Sequence, residues 1–424
     1  MANIINLESV IWRKDLYPRF EPDPKTIQQY TESIELLPAI EVNQHNELID
    51  GYHRWTAHKK VGLTEIPIIV TKTDSDNHLL KLAIKRNATH GLQLNNAEKK
   101  SFVLKLYVGS GNGEKAELAK LFAVNERTIA GWTSRRDKDL KEERNKRIFD
   151  LWLACWTFEK IAAEVGISDR TAANIVEEKN SEKNADMQKF RSFANYQDAD
   201  WTPPLYNVWK QQTKSNQVAH FGNSESRFLD NLLYMHTRPF DIVVDPFGGG
   251  GSTIDVCKKR LRRYWVSDRL PIVERLDIRK ADISEGPPKL AERWGDVGLL
   301  YLDPPYWRQA ENRYSQDADD LANMPLDEFY NSLCGFTLAC AEKMRSGSHV
   351  AILIQPTQWK NENKEVVDHV FDLLVRLTGK KLKLKMRVSC PYESQQCTAQ
   401  QVEWAKENKQ VLIINREMII WEVV

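Results

Sequence analysis

The chain has 424 residues, which predicts about two to four domains at roughly 150 residues each. Lys and Arg number 60 against 59 Asp and Glu, so a surface that is basic throughout is excluded and any nucleic-acid surface must be local. No stretch reaches the roughly 18 apolar residues that a bilayer requires, and the first residues contain no apolar secretory core. The six cysteines form no CxxC pair and no Cys/His ligand spacing. We therefore expect a reduced, cytoplasmic protein with no membrane contact and no metal.

The predicted elements divide the chain into four segments. Residues 1–94 alternate short strands with a helix, which is typical of a small α/β domain. Residues 95–180 are helical in pattern and densely charged. Residues 181–199 are predicted as a linker or a solvated helix, because the run from Lys179 to Lys189 has almost no apolar side chain. In residues 200–424 apolar strands alternate with helices, the pattern of a doubly wound, mainly parallel sheet, so the fold class is α/β and multidomain.

The individual elements can be assigned from these patterns. In the first segment we predict a helix at Thr26–Leu37 and strands at Ala39–Val42 and Ile66–Val70. In the last segment the predicted strands are Ile242–Val244, Tyr264–Val266, Leu299–Leu302, Val350–Ile354 and Lys383–Val388. Two further apolar runs, Val411–Ile414 and Met418–Trp421, surround the polar Asn415-Arg416-Glu417 and are predicted to form an antiparallel hairpin.

A glycine-rich loop follows the first buried strand of the last segment. It consists of Asp245, Pro246, Phe247, Gly248, Gly249, Gly250, Gly251, Ser252 and Thr253. Consecutive glycines let a ligand approach main-chain N–H groups, and open α/β sheets bind ligands at the carboxyl ends of their strands. The loop has neither GxGxxG nor Walker spacing, so phosphate binding is not favoured. An acid at the strand end suits a ligand that carries an ammonium group, and a flexible surface loop is the alternative.

Two further acids end the strands that follow. Asp268 lies about 20 residues after Asp245, where an acid commonly accepts hydrogen bonds from ribose hydroxyls. Asp282 ends a third predicted strand and is placed to accept a hydrogen bond from an adenine amino group. Taken singly, either carboxylate is more often a helix cap or a solvated charge, and that alternative stays open.

A second motif, Asp303-Pro304-Pro305-Tyr306, follows the predicted strand Leu299–Leu302. Its prolines fix φ and supply no N–H, so the main chain presents carbonyl acceptors without competing donors. The Asp303 carboxylate and the Pro304 carbonyl can accept both hydrogens of an exocyclic amino group and aim its lone pair at an electrophile. Tyr306 offers a flat face to a base extruded from a duplex. A rigid Pro-Pro turn without chemistry is the alternative.

Together the two motifs, over residues 200–424, resemble those of S-adenosylmethionine-dependent amino-methyltransferases that act on DNA. The resemblance implies a Rossmann-like domain in which Asp245 and the loop that follows it hold the methionine part of the cofactor, Asp268 the ribose and Asp282 the adenine. His220–Glu225 resembles the family's additional cofactor segment and adds Phe221 to the candidates. Little room lies between the two motifs for a target-recognition insert.

The motif Asp303–Tyr306 accompanies adenine N6 methylation more often than cytosine N4 methylation in this family, so adenine is the expected base and cytosine the alternative. Cytosine C5 chemistry needs a nucleophilic cysteine in a Pro-Cys context, whereas Ser389-Cys390-Pro391 has the reverse order. Two more hypotheses stay open: the same chemistry on RNA or on a protein glutamine, and a nucleotide-switched DNA-binding regulator with a non-catalytic methylase domain.

The segment Ile49–Ala57 combines a glycine turn with a basic pair at a predicted helix start, where an anion can bind. With Tyr17–Arg19 and Arg86–Gly91, it makes residues 7–105 resemble the ParB-like nucleotide-binding fold, which sulfiredoxin shares. The resemblance implies phosphate contacts for Gly51, Arg54 and Asn87, and His53 is a further candidate. Partition proteins have other residues at Tyr52-His53, so a structural or DNA-positioning role is the alternative to nucleotide binding.

Two segments, Glu114–Trp132 and Thr157–Val176, have the spacing of a helix-turn-helix, although helical hairpins used only for packing look similar. The starts of their second helices would face base edges. The candidate DNA-binding residues are Asn125, Arg127, Thr128, Ser168, Arg170 and Thr171. We expect double-stranded DNA as the partner. The sequence leaves open a homodimer, a companion restriction nuclease, and a solitary phage or prophage enzyme.

Overall fold

The computed structural model describes residues 3–19, 21–89, 94–111, 113–196, 202–210, 225–358, 366–379, 381–392 and 397–424. Their contacts divide the chain into two compact units, Met1–Arg144 and Asn145–Val424. Each unit has apolar cores of its own, and each is described by itself. Within the described ranges, no helix combines the length and the apolar character that a membrane crossing requires.

The first unit contains a four-stranded sheet in the order β1-β4-β2-β3. Its strands are β1 (Asn3–Asn6), β2 (Ile40–Val42), β3 (Leu48–Asp50) and β4 (Glu65–Val70). β2 runs parallel to β4, and the other two pairs are antiparallel. Ile40, Val42, Ile66 and Ile68 alternate along β2 and β4 and are buried in the core, as period-two strands with one covered face require. The two strands predicted in this segment therefore correspond to β2 and β4.

The helices of the first unit are α1 (Pro24–Glu32), α2 (Tyr52–Val61), α3 (Asp76–Thr89), α4 (Asn96–Leu106) and α5 (Glu114–Phe122). A further helix, α6 (Glu126–Leu153), begins in this unit and ends in the next. The helix predicted at residues 26–37 is shorter than expected. Asp23 caps α1, and the chain leaves helical geometry at Ser33, where φ is −129°, before a short 3₁₀ turn at Ile34–Leu36.

The second unit contains a seven-stranded sheet in the order β10-β11-β9-β8-β5-β6-β7. Its strands are β5 (Ile242–Asp245), β6 (Arg263–Asp268), β7 (Arg279–Lys280), β8 (Val297–Leu302), β9 (His349–Ile354), β10 (Leu382–Pro391) and β11 (Asn415–Val423). Strands β5 to β9 pair in parallel, and β11 is antiparallel to both β9 and β10. Ile242 and Val244 enter one core and Val243 another, so the strand is apolar throughout because both faces of the sheet are covered.

The helices of the second unit, besides the end of α6, are α7 (Phe158–Val165), α8 (Asp169–Glu182), α9 (Asn184–Lys189), α10 (Phe193–Tyr196), α11 (Ser226–His236), α12 (Ser252–Lys259), α13 (Leu326–Ala341), α14 (His369–Leu377) and α15 (Ala399–Glu407). The segment predicted as a linker or solvated helix is thus helical over much of its described length. Tyr196 of α10 is fully buried, and its hydroxyl donates to Asp230 over 3.0 Å, so this segment is fixed to the unit.

The hairpin predicted around Asn415-Arg416-Glu417 is wrong. These residues are the first three of the single strand β11, which pairs with β10 on one side and β9 on the other. The polar triplet is not a turn because Arg416 is only 4% exposed and forms a buried ion pair with Glu225 at 2.9 Å. The sequence pattern had indicated a turn at Arg416, but this charged residue lies in an apolar strand because it pairs with a buried carboxylate.

Candidate active site

The glycine loop is closed at its base by the acid that ends β5. Asp245 is 2% exposed, and its carboxylate accepts hydrogen bonds from the Phe247 amide at 2.9 Å and the Thr253 hydroxyl at 2.6 Å. These contacts join the end of β5 to the first turn of α12. The carboxylate is thereby held at the carboxyl edge of the sheet, where ligands of open α/β sheets bind.

Two glycines of this loop occupy positions where a side chain would strain the backbone or displace its neighbours. A Cβ on Gly248 would lie 2.7 Å from Val266 Cγ1 and 3.1 Å from the Ser267 carbonyl oxygen. Gly251 has a φ of 83°, and a Cβ there would lie 2.5 Å from the Arg275 guanidinium carbon. The glycines therefore serve close backbone packing as well as the sharp turn. Arg275 also donates to the Gly250 carbonyl over 3.2 Å, so the carbonyl side of the loop is occupied within the protein.

Asp268 ends β6 and touches the glycine loop directly. One carboxylate oxygen accepts from the Gly249 amide and the other from the Leu270 amide, both at 2.9 Å. A carboxylate has about four lone-pair sites, so Asp268 keeps acceptor capacity for a ligand hydroxyl. Asp282 follows β7 and caps the short 3₁₀ turn at Ile283–Glu285, with Ser284 N donating to it at 2.8 Å. Asp282 is therefore a helix cap, which was the alternative role for this carboxylate. It also lines a cavity at this edge of the sheet.

The loop Asp303–Tyr306 follows β8, the strand that pairs with β5. The Tyr306 hydroxyl donates to Asp303 Oδ1 over 3.2 Å, which orients the carboxylate. Pro304 is buried, whereas Pro305 and Asp303 reach the cavity. Tyr306 is half-buried and packs on the large core of this unit.

A single cavity of about 400 Å³ connects the two loops. Ligand pockets of proteins commonly measure about 300 to 1,000 Å³. Its walls include parts of both predicted motifs and the acids between them: Asp245, Pro246, Phe247, Gly248, Gly249, Thr253, Asp268, Asp282, Asp303 and Pro305. The predicted residues Gly250, Gly251, Pro304 and Tyr306 are not among its lining residues. Because the carboxyl ends of parallel β5, β6 and β8 share one edge, loops separated along the chain open into the same space.

Negative charge dominates this cavity. Burial raises the pKa of Asp245 to about 7, and the carboxylates of Asp303 and Asp268 add to the rise, while the hydrogen bonds from Thr253 and Phe247 oppose it. A cation bound beside Asp245 would reverse much of this shift. The cavity can therefore accept a positively charged ligand. No group of His, Cys, Asp or Glu in the described ranges has the arrangement of a metal site.

The segment between β8 and α13 supplies cavity residues that the motifs did not indicate. Arg313, Tyr314, Asp319, Asp320 and Leu321 line the cavity. Arg269, the residue directly after Asp268, pairs with Asp319 at 2.6 Å, with Asp317 at 3.0 Å and more loosely with Asp282 at 3.5 Å. The Arg269 guanidinium thus connects the end of β6 to the segment between β8 and α13 that lines the cavity. The sequence signal that could have indicated a role for Arg269 was its position directly after Asp268.

Phe221 and most of the segment predicted as an additional cofactor contact lie outside the described residues. Glu225 is the described residue at the end of that segment. Its carboxylate forms two hydrogen bonds with Arg416 Nη2, at 2.9 and 3.0 Å, and both side chains are about 95% buried. Arg416 also lies 4.1 Å from the ring centre of Tyr392. This pair was not predicted, because its members are 191 residues apart.

The predicted DNA-facing residues lie at the starts of α6 and α8. Asn125 caps α6 by accepting from the Thr128 amide at 2.7 Å, and Ser168 caps α8 by accepting from the Thr171 amide at 3.1 Å. The preceding helices end in left-handed residues, Ala123 with φ 50° and Gly166 with φ 71°. Arg127 and Arg170 are exposed beside the two caps. Each segment therefore consists of two helices joined by a short turn, with a side-chain cap at the start of the second helix.

The pair α7–α8 is anchored in the core of the second unit. Trp152 and Trp156, at the link between α6 and α7, pack on the sheet core and on the core of the α7–α8 pair. Arg279 donates to the Ala154 carbonyl over 2.5 Å, and Arg263 lies 4.7 Å from the ring centre of Trp152. The start of α8 is thus fixed to the unit that contains the cavity.

The four candidates for phosphate binding in the first unit already have internal partners or a structural position. The Arg54 guanidinium donates to the Ala39 carbonyl and to Asp50, both at 2.6 Å. His53 accepts from the Asp23 amide at 2.8 Å, and Asn87 Nδ2 donates to the Ala83 carbonyl at 2.8 Å. Gly51 has a φ of 103° at the start of α2. These contacts agree with the structural alternative for this segment.

Comparison with known proteins gives two family matches. The ParB N-terminal domain model matches residues 4–88, and a DNA methylase model of the N6/N4 type matches residues 63–269. The methylase match includes the glycine loop and Asp268 and ends before Asp303. The predicted resemblances to a ParB-like N-terminal domain and to an N6/N4-type DNA methylase are confirmed. No curated protein matches the chain.

Solved structures give distant likenesses. A C-terminally truncated ParB from Caulobacter crescentus, bound to its centromeric site, is 18% identical over 42% of this chain and 100% of that chain, with a TM-score of 0.25. TrmN from Thermus thermophilus is 14% identical over 47% of this chain and 48% of that chain, with a TM-score of 0.28. Geranyl diphosphate C-methyltransferase from Streptomyces coelicolor A3(2), solved with S-adenosyl-L-homocysteine, is 16% identical over 47% and 79%, with a TM-score of 0.29.

Proposed function

We propose that the chain is a site-specific DNA methyltransferase that transfers a methyl group from S-adenosylmethionine to the exocyclic amino group of a flipped base, with adenine N6 as the target. The observation that carries the proposal is the shared cavity of about 400 Å³, into which the glycine loop after β5 and the Asp303 loop after β8 both open. The match to the DNA methylase family supports the same reaction class.

The residues of the cavity fit this cofactor. S-adenosylmethionine supplies a methyl group on a positively charged sulfonium and also carries an ammonium group. Asp245, buried at the strand end, provides the negative charge that such a cation requires, and its raised pKa indicates that the charge is unbalanced without one. Asp268 retains lone pairs for ribose hydroxyls, and Asp282 lies on the same wall as an acceptor for the adenine amino group.

The Asp303 loop would hold the nucleophile. The amino group of a base is weakly nucleophilic because its lone pair is delocalised into the ring. In the proposal, the Asp303 carboxylate and the Pro304 carbonyl accept its two hydrogens, and the Tyr306 hydroxyl keeps Asp303 in position through the 3.2 Å hydrogen bond. The ring of Tyr306 stacks on the flipped base. S-adenosylmethionine, held by Asp245 and Asp268, would supply an electrophilic methyl group and leave as S-adenosylhomocysteine, and the proton released by the amino nitrogen would pass along its hydrogen bond to Asp303.

We further propose that target reading belongs to the segments before the catalytic domain. The proposed boundaries are 1–94 for the ParB-like domain, 95–180 for the helix-turn-helix region, 181–199 for the connection and 200–424 for the catalytic domain. Attachment of α7–α8 to the core of the second unit supports a fixed distance between α8 and the cavity. The reaction would take place in the cytoplasm on double-stranded DNA. A nucleotide in the first unit would have to displace the internal contacts of Arg54 and Asn87, so the proposal does not include one.

Sequencing with modification detection, on DNA from cells that express the chain, tests this proposal. We expect methylated adenine in one short motif, and none in cells that express Asp303→Ala. The matched control is Asp186→Ala, which removes a half-exposed carboxylate of α9 that pairs only with Lys183 of the same segment at 3.4 Å among the described residues, and should leave the modification unchanged. Methylated cytosine in place of methylated adenine would show that the target atom is cytosine N4. Absence of any modification, together with no affinity for S-adenosylmethionine, would favour the non-catalytic regulator.

A further inference from the structure

A buried chain of hydrogen bonds leads from α14 to the segment that follows Tyr306. Asp372 Oδ2 accepts from the Tyr330 hydroxyl at 2.7 Å, and this hydroxyl lies 2.8 Å from His369 Nδ1. His369 Nε2 lies 2.9 Å from the Thr357 hydroxyl, which donates to the Trp307 carbonyl at 2.8 Å. His369 is completely buried, and Tyr330 and Thr357 are each 2% exposed, so water does not replace these three side chains as partners, whereas Asp372 at the end is half-buried.

This series of hydrogen bonds has one proton too few. Its four links need four protons, whereas Tyr330, Thr357 and a neutral His369 bring one each and the carboxylate and the carbonyl bring none. Burial lowers the pKa of His369 to about 4, although the carboxylates of Asp372 and Asp368 oppose the shift. The imidazole is therefore neutral near pH 7. One of the four links must lack a proton.

The tautomer of His369 decides which link is open. The Tyr330 proton goes to Asp372, because a charged acceptor forms the stronger hydrogen bond. If Nδ1 carries the imidazole proton, it donates to Tyr330, Nε2 accepts from Thr357, and the Trp307 carbonyl loses the Thr357 donor. If Nε2 carries the proton, it donates to Thr357, which donates to Trp307, and the open link lies between His369 and Tyr330.

The surroundings favour the Nε2–H tautomer. In that state the Thr357 hydroxyl is fully used, since it accepts from His369 and from Gln309 Nε2 at 3.4 Å and donates to Trp307. The open link then lies between His369 and Tyr330, and the Tyr330 hydroxyl can turn its proton from Asp372 to Nδ1, because Asp372, at the end of the chain, is half-buried and water can donate to it instead. The charged neighbours of that end are Asp368, Asp372 and Arg376 on α14, with Arg376 4.5 Å from the Tyr330 ring centre and 3.9 Å from Asp327 of α13.

The link at Trp307 connects separate elements. Trp307 directly follows Asp303-Pro304-Pro305-Tyr306, and its carbonyl also accepts within its own turn, from the Gln309 amide at 2.7 Å. Thr357 belongs to the connection between β9 and α14, which pairs Thr357 with Val367. Gln309 Nε2 donates to the neighbouring Pro356 carbonyl at 2.9 Å and provides a second connection that does not depend on the imidazole.

We propose that His369, as the Nε2–H tautomer, is a positioning residue that holds the segment after Tyr306 in place through Thr357. This inference rests on the proposed function for its effect on methyl transfer. It assigns no contact between His369 and the substrate. The tautomer makes the position of the base-binding loop depend on a residue of α14 that no motif includes.

Side-chain amides test whether the link to Thr357 depends on the Nε2 position of His369, and the ¹⁵N spectrum below separates the two tautomers. A Gln side chain carries its amide at the reach of Nε2 and an Asn side chain at the reach of Nδ1, so His369→Gln can donate to Thr357 and His369→Asn cannot. We expect His369→Gln to keep kcat within about threefold, and His369→Asn and Thr357→Val to lower kcat about tenfold or more, because small displacements of reacting groups are costly. Thr357→Ser should retain activity, and Tyr330→Phe should stay within about threefold. The affinity for S-adenosylmethionine should not change in any of them.

Two measurements do not depend on activity. Hydrogen exchange of residues 306–325 should become faster in His369→Asn and Thr357→Val and remain slow in His369→Gln. In the ¹⁵N spectrum of histidine-labelled protein, the signals missing from His369→Gln should be those of an Nε2–H imidazole. An Nδ1–H spectrum, or equal exchange and activity in the Gln and Asn variants, would overturn the inference. A wild-type chain that methylates no DNA would overturn the proposed function, while hydrogen exchange still decides the role of His369.

Discussion

The Thr253 hydroxyl donates a 2.6 Å hydrogen bond to the carboxylate of Asp245, and both side chains are 2% exposed. This contact joins the last residue of β5 to the first turn of α12 and keeps a carboxylate inside a cavity that has few cations. Burial raises the pKa of Asp245 to about 7, in spite of the bond from Thr253. The protonation of this one group therefore matters for both ligand binding and stability.

The affinity for S-adenosylmethionine should depend on pH through Asp245. A cationic ligand binds the ionised carboxylate, so below pH 7 the proton must be removed before the ligand binds. The affinity therefore falls about tenfold for each unit by which the pH decreases below 7. We expect the dissociation constant to rise about tenfold between pH 8 and pH 6, measured by titration calorimetry. Asp245→Asn should bind more weakly at both pH values and lose most of this dependence. An unchanged pH dependence in Asp245→Asn would show that another group titrates.

The same substitution should stabilise the fold at high pH. The pKa of Asp245 is raised from 3.8 in the unfolded chain to about 7 in the folded one, so the folded state binds more protons between these values and stability falls as pH rises from about 4 to about 7. Asp245→Asn removes this loss. We expect its free energy of unfolding to exceed that of the wild type at pH 8 by a few kcal/mol, ~4 at most, and by little at pH 4.

Urea unfolding at the two pH values measures this difference. Asp186→Asn, which changes a half-exposed carboxylate of α9, is the matched control and should show no gain at pH 8. A lower stability of Asp245→Asn at pH 8 would mean that the hydrogen bonds from Thr253 and Phe247 outweigh the cost of the buried charge.

The ring and the hydroxyl of Tyr306 should have separable effects. Tyr306→Phe removes only the hydrogen bond to Asp303, which is worth about 1 kcal/mol, so methyl transfer should fall by about fivefold. Tyr306→Ala also removes the stacking face, worth about 1–3 kcal/mol, and should lower kcat/KM for DNA by about 5- to 160-fold further. Transfer of a radioactive methyl group to DNA measures both. Equal activities of the Phe and Ala variants would exclude a stacking role for the ring.

Arg170 at the start of α8 should contribute to motif choice. Its helix belongs to the same compact unit as the cavity. A base that Arg170 contacts would therefore lie at a constant distance along the DNA from the methylated base. Arg170→Ala should relax the motif at one position, with a loss of about 1–3 kcal/mol in discrimination. Sequencing with modification detection shows the change. Glu177→Ala, on an exposed later turn of the same helix, is the control, and an unaltered motif in Arg170→Ala would remove α8 from base reading.

The strand ends and helix caps were predictable because their signals are local. Parallel strands bring their carboxyl ends to one edge, so Asp245 and Asp303 could be placed near one cavity from two short motifs. Asn125 and Ser168 cap their helices through residues three positions later, which sequence spacing also shows. Residue roles at the site are a separate matter, and they remain predictions.

The remaining features depend on contacts between distant parts of the chain. The pair of Glu225 and Arg416 joins residues 191 positions apart, so the polar triplet around Arg416 resembled a turn. The ion pairs of Arg269 with Asp317 and Asp319 likewise depend on how the segment between β8 and α13 returns to β6. The tautomer of His369 depends on four partners from separate elements.

The place of β11 in the sheet has a consequence for synthesis on the ribosome. β11 is the last of the seven strands to be translated, yet it lies between β9 and β10 in the interior of the sheet. Until it emerges, the nascent sheet exposes the edge of β9, and the carboxylate of Glu225 has no Arg416 to neutralise it. The second unit therefore completes its folding late, after an interval in which an unpaired apolar edge is open to chaperones or to aggregation.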